Sequence, residues 1–168
     1  MEIKEVKSIA GIEKELYQLL SDCVESGASV GFLTPINRQE IESYWDSVST
    51  DLALGSRKLF LAYSEGFITG SVQLSLCSKA NGSHRGEVEK LMVHTKHRDK
   101  GVSKQLMAAM EYEAANLNLS LLVLDTRLGD VASSLYRSVG YTEAGQIPQF
   151  ARSSNGELES TVYFYKVL

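Results

Sequence analysis

EVEKLMVHTKHRDKGVSKQL, residues Glu87 to Leu106, is the stretch around which the rest of the chain can be organised. It opens with a strand, Glu87–His94. It closes on an amphipathic helix from about Gly101 to Asn118, with Val102, Leu106, Met110, Ala114 and Leu117 on its inner face. Between them lies a basic turn, Lys96-His97-Arg98-Asp99-Lys100-Gly101-Val102-Ser103-Lys104. The first N–H groups of a helix lack an intrahelical partner, and here positive side chains gather around them. Such a turn is an anion cradle and suits a phosphorylated ligand.

Working outward, Leu119–Thr126 (LSLLVLDT) is a nearly continuous apolar run, as a central strand covered on both faces requires. Strand, helix and strand in this order imply a right-handed crossover between parallel strands. Upstream, Lys58–Ser64, the turn Glu65-Gly66 and the alternation of Ile68, Gly70, Val72, Leu74 and Leu76 read as a hairpin. SKANGSHRG, Ser78–Gly86, reads as a loop. Before the hairpin come a weak strand at 2–8 and a helix bearing Ile12, Leu16, Leu19, Leu20, Cys23 and Val24, stopped near Gly27. GASVGFLTP then links to a second helix, with Ile41, Tyr44, Trp45 and Val48 on one face. Asn37 and Glu40 predict a capping box at its start.

Downstream, Asp130 caps a short helix carrying Val131, Leu135 and Val139 and ended by Gly140. Tyr141–Pro148 is a strand, 148–159 a loop, and Ser160–Leu168 a last strand. The order is β-α-α-β-β-β-α-β-α-β-β. It predicts an α/β fold: a mixed, mostly antiparallel twisted sheet with a central parallel strand pair and flanking helices.

The 168 residues suit one domain spanning the chain. A net charge of −4 argues against a nucleic-acid partner and makes the basic turn a local field. Cys23 and Cys77 are far apart, the histidines are scattered, and no metal site is expected. The first residues lack an apolar leader core, and no window approaches the ~20 apolar residues of a membrane span. The expectation is a cytoplasmic protein with no membrane partner, its thiols reduced.

These residues resemble the GNAT acetyltransferase superfamily over roughly 58–167. Arg98-x-x-Gly101-x-Ser103 after a strand is similar to the family's Gln/Arg-x-x-Gly-x-Gly/Ala, with Ser103 a mild departure. Ala132-x-x-x-Tyr136-x-x-x-Gly140-Tyr141 is similar to its Asn-x-x-Ala-x-x-x-Tyr-x-x-x-Gly-Phe, with Gly129 where the Asn would stand. That polar contact to the cofactor is then either missing or replaced by Asp130 or Ser133. GASVGFLTP with Tyr44-Trp45, EVEKLMV, LLVLDT, Gly145-Gln146-Ile147-Pro148 and TVYFYK look like the tabtoxin-resistance type of small-molecule acetyltransferase.

The resemblance implies acetyl-CoA as donor and direct transfer to a primary amine in a ternary complex. Backbone groups of Leu91, Met92 and Val93 would pair with the pantetheine arm. Amides of Asp99, Lys100, Gly101, Val102, Ser103 and Lys104 would hold the pyrophosphate, aided by the Arg98, Lys100 and Lys104 charges. Thr126 and Ser133 complete the cofactor set.

An alkyl ammonium with pKa near about 10.4 must lose a proton before it attacks. Glu87 and Glu89 are the candidate bases, and alternation puts both on one face with Leu91 and Val93 if no bulge intervenes. His94 ranks third, pointing to the opposite face. Tyr136 matches the family's general acid. A free tyrosine donates to a thiolate about 2 kcal/mol uphill, a gap that desolvating the thiolate can close.

The acceptor is expected to be a small molecule of antibiotic, toxin, amino acid or polyamine type. A protein N-terminal or lysine acetyltransferase and a non-catalytic acetyl-CoA sensor are the alternatives. The loop 27–36, the helix with Tyr44 and Trp45, and the loop 148–159 with Phe150 and Arg152 would line the acceptor side, Trp45 and Tyr44 chiefly as packing. The assembly is monomer or homodimer.

Overall fold

The computed structural model describes residues 1–168. The elements follow the predicted order: β1 (Glu2–Val6), α1 (Glu13–Glu25), α2 (Arg38–Leu54), β2 (Arg57–Ser64), β3 (Phe67–Leu76), β4 (Arg85–Val93), α3 (Val102–Asn116), β5 (Leu121–Arg127), α4 (Ala132–Ser138), β6 (Thr142–Arg152) and β7 (Leu158–Val167). They form one seven-stranded sheet, ordered β1-β2-β3-β4-β5-β7-β6. Every neighbouring pair is antiparallel except β4 and β5. No helix is long and apolar enough to cross a membrane.

Two cores lie on the two faces. Leu59 and Leu61 of β2 point to α1 and α2 and pack with Leu16, Leu20, Trp45 and Val48. Phe60 and Ala62 point the other way, to Leu106, Met107 and Met110 of α3. This is why the middle of β2 is apolar throughout rather than alternating. The close seat of α3 needs Gly70 in β3. A Cβ there would stand 2.8 Å from Met92 O and 3.1 Å from both Leu106 Cδ1 and Val102 Cγ1.

Local chemistry sets the ends. Asn37 Oδ1 accepts from the amides of Gln39 (2.9 Å) and Glu40 (3.3 Å), a cap that fixes the start of α2. The reciprocal half of the predicted box is absent, because Glu40 stays in solvent. Asp130 Oδ1 accepts from Ala132 N at 3.2 Å, as predicted for the short helix.

Three readings of the sequence need correction. The loop placed at 78–86 ends earlier, and β4 already includes Arg85 and Gly86. The loop placed at 148–159 is largely strand. Pro148 interrupts neither element, since β6 is an edge strand and the ladder skips from Ile147↔Thr161 to Ala151↔Glu159. Val131, expected within the short helix, lies outside it and is 86 % exposed. It precedes α4 and projects towards the cleft described next.

Candidate active site

The parallel ladder between β4 and β5 is short: Arg85↔Leu121, Gly86↔Leu122 and Glu87↔Val123, and nothing beyond. The two strands then part. On its other edge β4 carries a bulge, because Glu89 pairs with Gln73 and Met92 with Ser71, leaving Lys90 and Leu91 opposite Val72. Lys90 takes φ of +50°, unusual for a residue with a side chain.

This bulge overturns the alternation expected along β4. Before it, Glu87 and Glu89 face α1 and α2. After it, Met92 faces that side and packs in the α1–α2 core, while Leu91 and Val93 turn to the α3 core. The two glutamates therefore do not share a face with Leu91 and Val93. His94 is turned to the α1 side, with Nδ1 at 3.7 Å from Asp22 Oδ2. It lines a separate hollow with Glu15, Gln18 and Phe67, outside the split between the strands.

Two cavities open at the split. The first, of about 380 Å³, is lined by Leu91, Met92, Val93, Arg98, Asp99, Gly101, Val102, Ser103, Lys104 and Tyr136, with Cys23, Val131 and Leu135. The amides from Asp99 to Lys104 donate to no backbone carbonyl. Asp99 (φ +60°) and Gly101 (φ +77°) both lie in the left-handed region, which bends the turn into a concave row of N–H groups ahead of α3. A side chain at Gly101 would meet nothing within 4 Å, so glycine is needed there for its conformation and for open approach.

The predicted cations differ in their freedom. Arg98 is folded back, with Nε donating to Val93 O (3.2 Å) and Nη2 to Ser26 Oγ (2.6 Å). Lys100 Nζ donates to Lys96 O at 2.9 Å. Lys104 lines the cavity and makes no ion pair with the protein. Burial pushes the Cys23 thiol up to about 11, which keeps it an unreactive packing group.

The second cavity, of about 340 Å³, is acidic. Glu87, Glu89, Asp125, Asp130 and Glu159 line it, against Lys90 and Arg127. Thr126 belongs to this cavity rather than the first. Ser133 lines neither and is buried within α4.

Glu89 is fixed by Arg57, whose guanidinium also reaches Asp51 and Gln73. Glu87 has no such partner. Loss of water around it, and then the nearby Glu89 and Asp125 charges, raise its carboxyl above the ordinary value. Asp125 Oδ2 accepts from Thr161 Oγ1 at 2.7 Å. Lys90 Nζ stands over the Tyr44 and Phe32 rings, 5.4 and 5.9 Å from their centroids, and burial lowers its pKa.

Trp45 is fully buried, so it packs and touches no ligand space. Tyr44 accepts from Gln73 Nε2 at 2.8 Å. Phe150 lines the cavity and packs edge-on against Tyr163, 5.9 Å between centroids. Arg152 turns back to Gly156 O at 2.7 Å. In a neighbouring hollow lined by Gly27, Arg127 and Ser154, Thr34 N donates to Ser154 Oγ at 3.0 Å and Arg127 Nη2 to Gly27 O at 3.2 Å, tying the α1–α2 loop to β5 and to the turn between β6 and β7.

Tyr136 lines both cavities. It is only 7 % exposed and wedged against Tyr141 and Phe164. Burial, then Asp130 and Asp125, raise its pKa, with no hydrogen bond among the influences on it. The phenol is held protonated and aimed at the junction. Asp125, Lys90 and Arg127 were not found from sequence, whereas residues 28–31 and Glu159 fall within the two loops, 27–36 and 148–159, expected to line the acceptor side. The one signal was Asp125, an acid closing an otherwise apolar strand.

The profile of the acetyltransferase (GNAT) family matches residues 14–141. An uncharacterized N-acetyltransferase from Azospirillum brasilense is 30% identical over 115 residues, 67% of each chain. Among solved structures, a ribosomal-protein-alanine N-acetyltransferase from Brucella melitensis superposes with TM-score 0.84 at 20% identity, covering 100% of both chains. A phosphinothricin acetyltransferase from Sinorhizobium meliloti in complex with acetyl-CoA superposes with TM-score 0.80 at 16% identity, covering 100% of this chain and 89% of the other.

Proposed function

The chain belongs to the acetyltransferase (GNAT) family, and from that premise we propose that it moves the acetyl group of acetyl-CoA to a primary amine of a small molecule. The observation that carries the reading is Tyr136 at the junction of two cavities, one rimmed by free amides and one acidic.

The residues of the first cavity fit the donor. The amides of Asp99 to Lys104 supply hydrogen bonds to the pyrophosphate at the positive end of α3, and Lys104 supplies a free charge. Leu91, Met92 and Val93 offer strand backbone to the pantetheine arm beyond the point where β5 leaves. Arg98 supports the turn by tying it to Val93 and Ser26. Asp99 contributes through its backbone.

In the reaction, a bond forms between the acceptor nitrogen and the acetyl carbon, and the bond from that carbon to sulfur breaks. Glu87 takes the amine proton, directly or through water. It suits the task better than Glu89, which is held by Arg57. Its raised pKa brings it nearer the amine's own. Tyr136 then offers its proton to the leaving thiolate and is restored by the second proton that the nitrogen sheds as the amide forms. The raised phenol pKa makes full transfer harder in water, and the same dry surroundings raise the thiolate's affinity for the proton. Much of the rate comes from holding amine and thioester together.

A small acceptor is favoured over a peptide because the α1–α2 loop, which lines the acidic cavity at residues 28–31, is tied down across the split by the Thr34–Ser154 and Arg127–Gly27 bonds. The test is a screen of thiol release from acetyl-CoA across amines, antibiotics and peptides. Release with small amines and none with peptides supports the reading. Release with peptides alone overturns its acceptor half.

A further inference from the structure

Resting on the acetyltransfer reading above, we propose that the acceptor is a small polyamine: a molecule with a second ammonium and no carboxylate, whose second charge is read by Asp125 while its reacting amine stands at Glu87. Glu87 pairs with Val123 in the last rung of the parallel ladder, and Asp125 follows two residues on. The two carboxylates therefore project from one face of adjacent strands, diagonal to each other where the strands part. Neither has a cationic partner within ion-pair distance, although both line the cavity beneath Tyr136. Asp125 is not a loose surface acid. The hydroxyl that orients it belongs to Thr161, which is 2 % exposed.

The guanidinium groups at and beside the cavity are already engaged, and Lys90 is the one cation lining it without an ion pair. Arg127 lies between Asp130 (3.7 Å) and Glu159 (3.5 Å). Arg57 is held by Glu89 and Asp51. Lys90 rests on two aromatic rings, within the field of Glu89, Asp125 and Glu87. An acceptor bearing a carboxylate would meet this field with no free guanidinium to receive it, and like charges brought together in such a cleft are rejected. Tyr136, buried and without a partner, is the separate sign that a ligand completes this cavity. Acetylation also removes one positive charge from a diamine. The product then binds the paired acids more weakly than the substrate, which favours its release.

The experiment measures thiol release at saturating acetyl-CoA with putrescine, butylamine and γ-aminobutyrate, in wild type and in Asp125→Asn, with melting temperatures as a check on folding. The expected kcat/KM for putrescine is about tenfold above butylamine and about a hundredfold above γ-aminobutyrate. Asp125→Asn should shrink the putrescine-to-butylamine ratio about tenfold. Glu159→Gln, which frees Arg127 on one side, should narrow the gap between putrescine and γ-aminobutyrate. Equal use of γ-aminobutyrate and putrescine, or an Asp125→Asn variant that slows every amine by the same factor, overturns the proposal. If acetyl-CoA raises the melting temperature and none of the three amines releases thiol, the polyamine falls and the donor reading stands. If acetyl-CoA neither binds nor reacts, both fall.

Discussion

Arg57 Nη1 lies 2.7 Å from Glu89 Oε2, and this contact separates two carboxylates that look equivalent along β4. Glu89 is committed to a network with Asp51, Gln73 and Tyr44 that joins α2 to the sheet. Glu87 is left free at the split. Glu89→Gln should therefore lower stability by about 1 kcal/mol, discounted for partial exposure, and leave most of the turnover. Glu87→Gln should lower kcat about a hundredfold with little loss of stability. Parallel unfolding and steady-state measurements on the two variants decide it, and the reverse pattern would make Glu89 the base.

The same contrast gives a pH dependence. Glu87 is raised by loss of water and by Glu89 and Asp125, against weaker pulls from Arg57 and Arg85. A folded pKa above the unfolded value means that the protonated form favours folding. That contribution is complete below the ordinary carboxylate value of about 4.3 and is lost as pH rises through the raised one. Glu87→Gln should then melt above wild type at pH about 8 and match it near pH about 4. The acidic limb of kcat/KM should lie above the ordinary carboxylate range and disappear in this variant.

Tyr136→Phe keeps the ring that packs against Tyr141 and Phe164, 6.0 and 5.8 Å between centroids, and removes only the hydroxyl. Turnover should fall about a hundredfold. The rise in melting temperature caused by acetyl-CoA should be nearly unchanged. Unaltered turnover would remove Tyr136 from the proton path.

Lys104 carries the free charge at the turn, whereas Arg98 is tied to Val93 O and Ser26 Oγ. Lys104→Gln should raise the KM for acetyl-CoA a few-fold without changing the melting temperature. Arg98→Gln should lower the melting temperature as well, since it unties α1 from the end of β4. Identical behaviour of the two variants would contradict this division.

The strand, turn and helix start around Gly101 were legible because they are local. A strand, a left-handed glycine at Gly101 and a helix start lie within one continuous stretch, and each leaves a residue signature. Asp130 and Asn37 were legible as caps for the same reason. The acidic cavity was legible only in pieces, because the loop at 28–31, the strand residues 87–91 and 125–127, Asp130 and residues 159–161 meet only in the fold. The bulge that re-aims β4 rests on Lys90 at φ +50°, and no glycine marks it. Strict alternation across it gave Glu87 and Glu89 the wrong neighbours. Pro148 misled in the opposite sense, suggesting a strand end where an edge strand tolerates a bulge.

The most direct measurement is the melting temperature of wild type and of Gly101→Glu across a titration with acetyl-CoA. Wild type should show a rise that grows with the logarithm of acetyl-CoA concentration, worth about 2.7 kcal/mol at a hundred times the dissociation constant. Gly101→Glu should show almost none, because a carboxylate would enter the row of amides and a side chain would strain φ of +77°. No rise in wild type at millimolar acetyl-CoA, or an equal rise in both proteins, would contradict the assignment of the Asp99–Lys104 turn as the donor site.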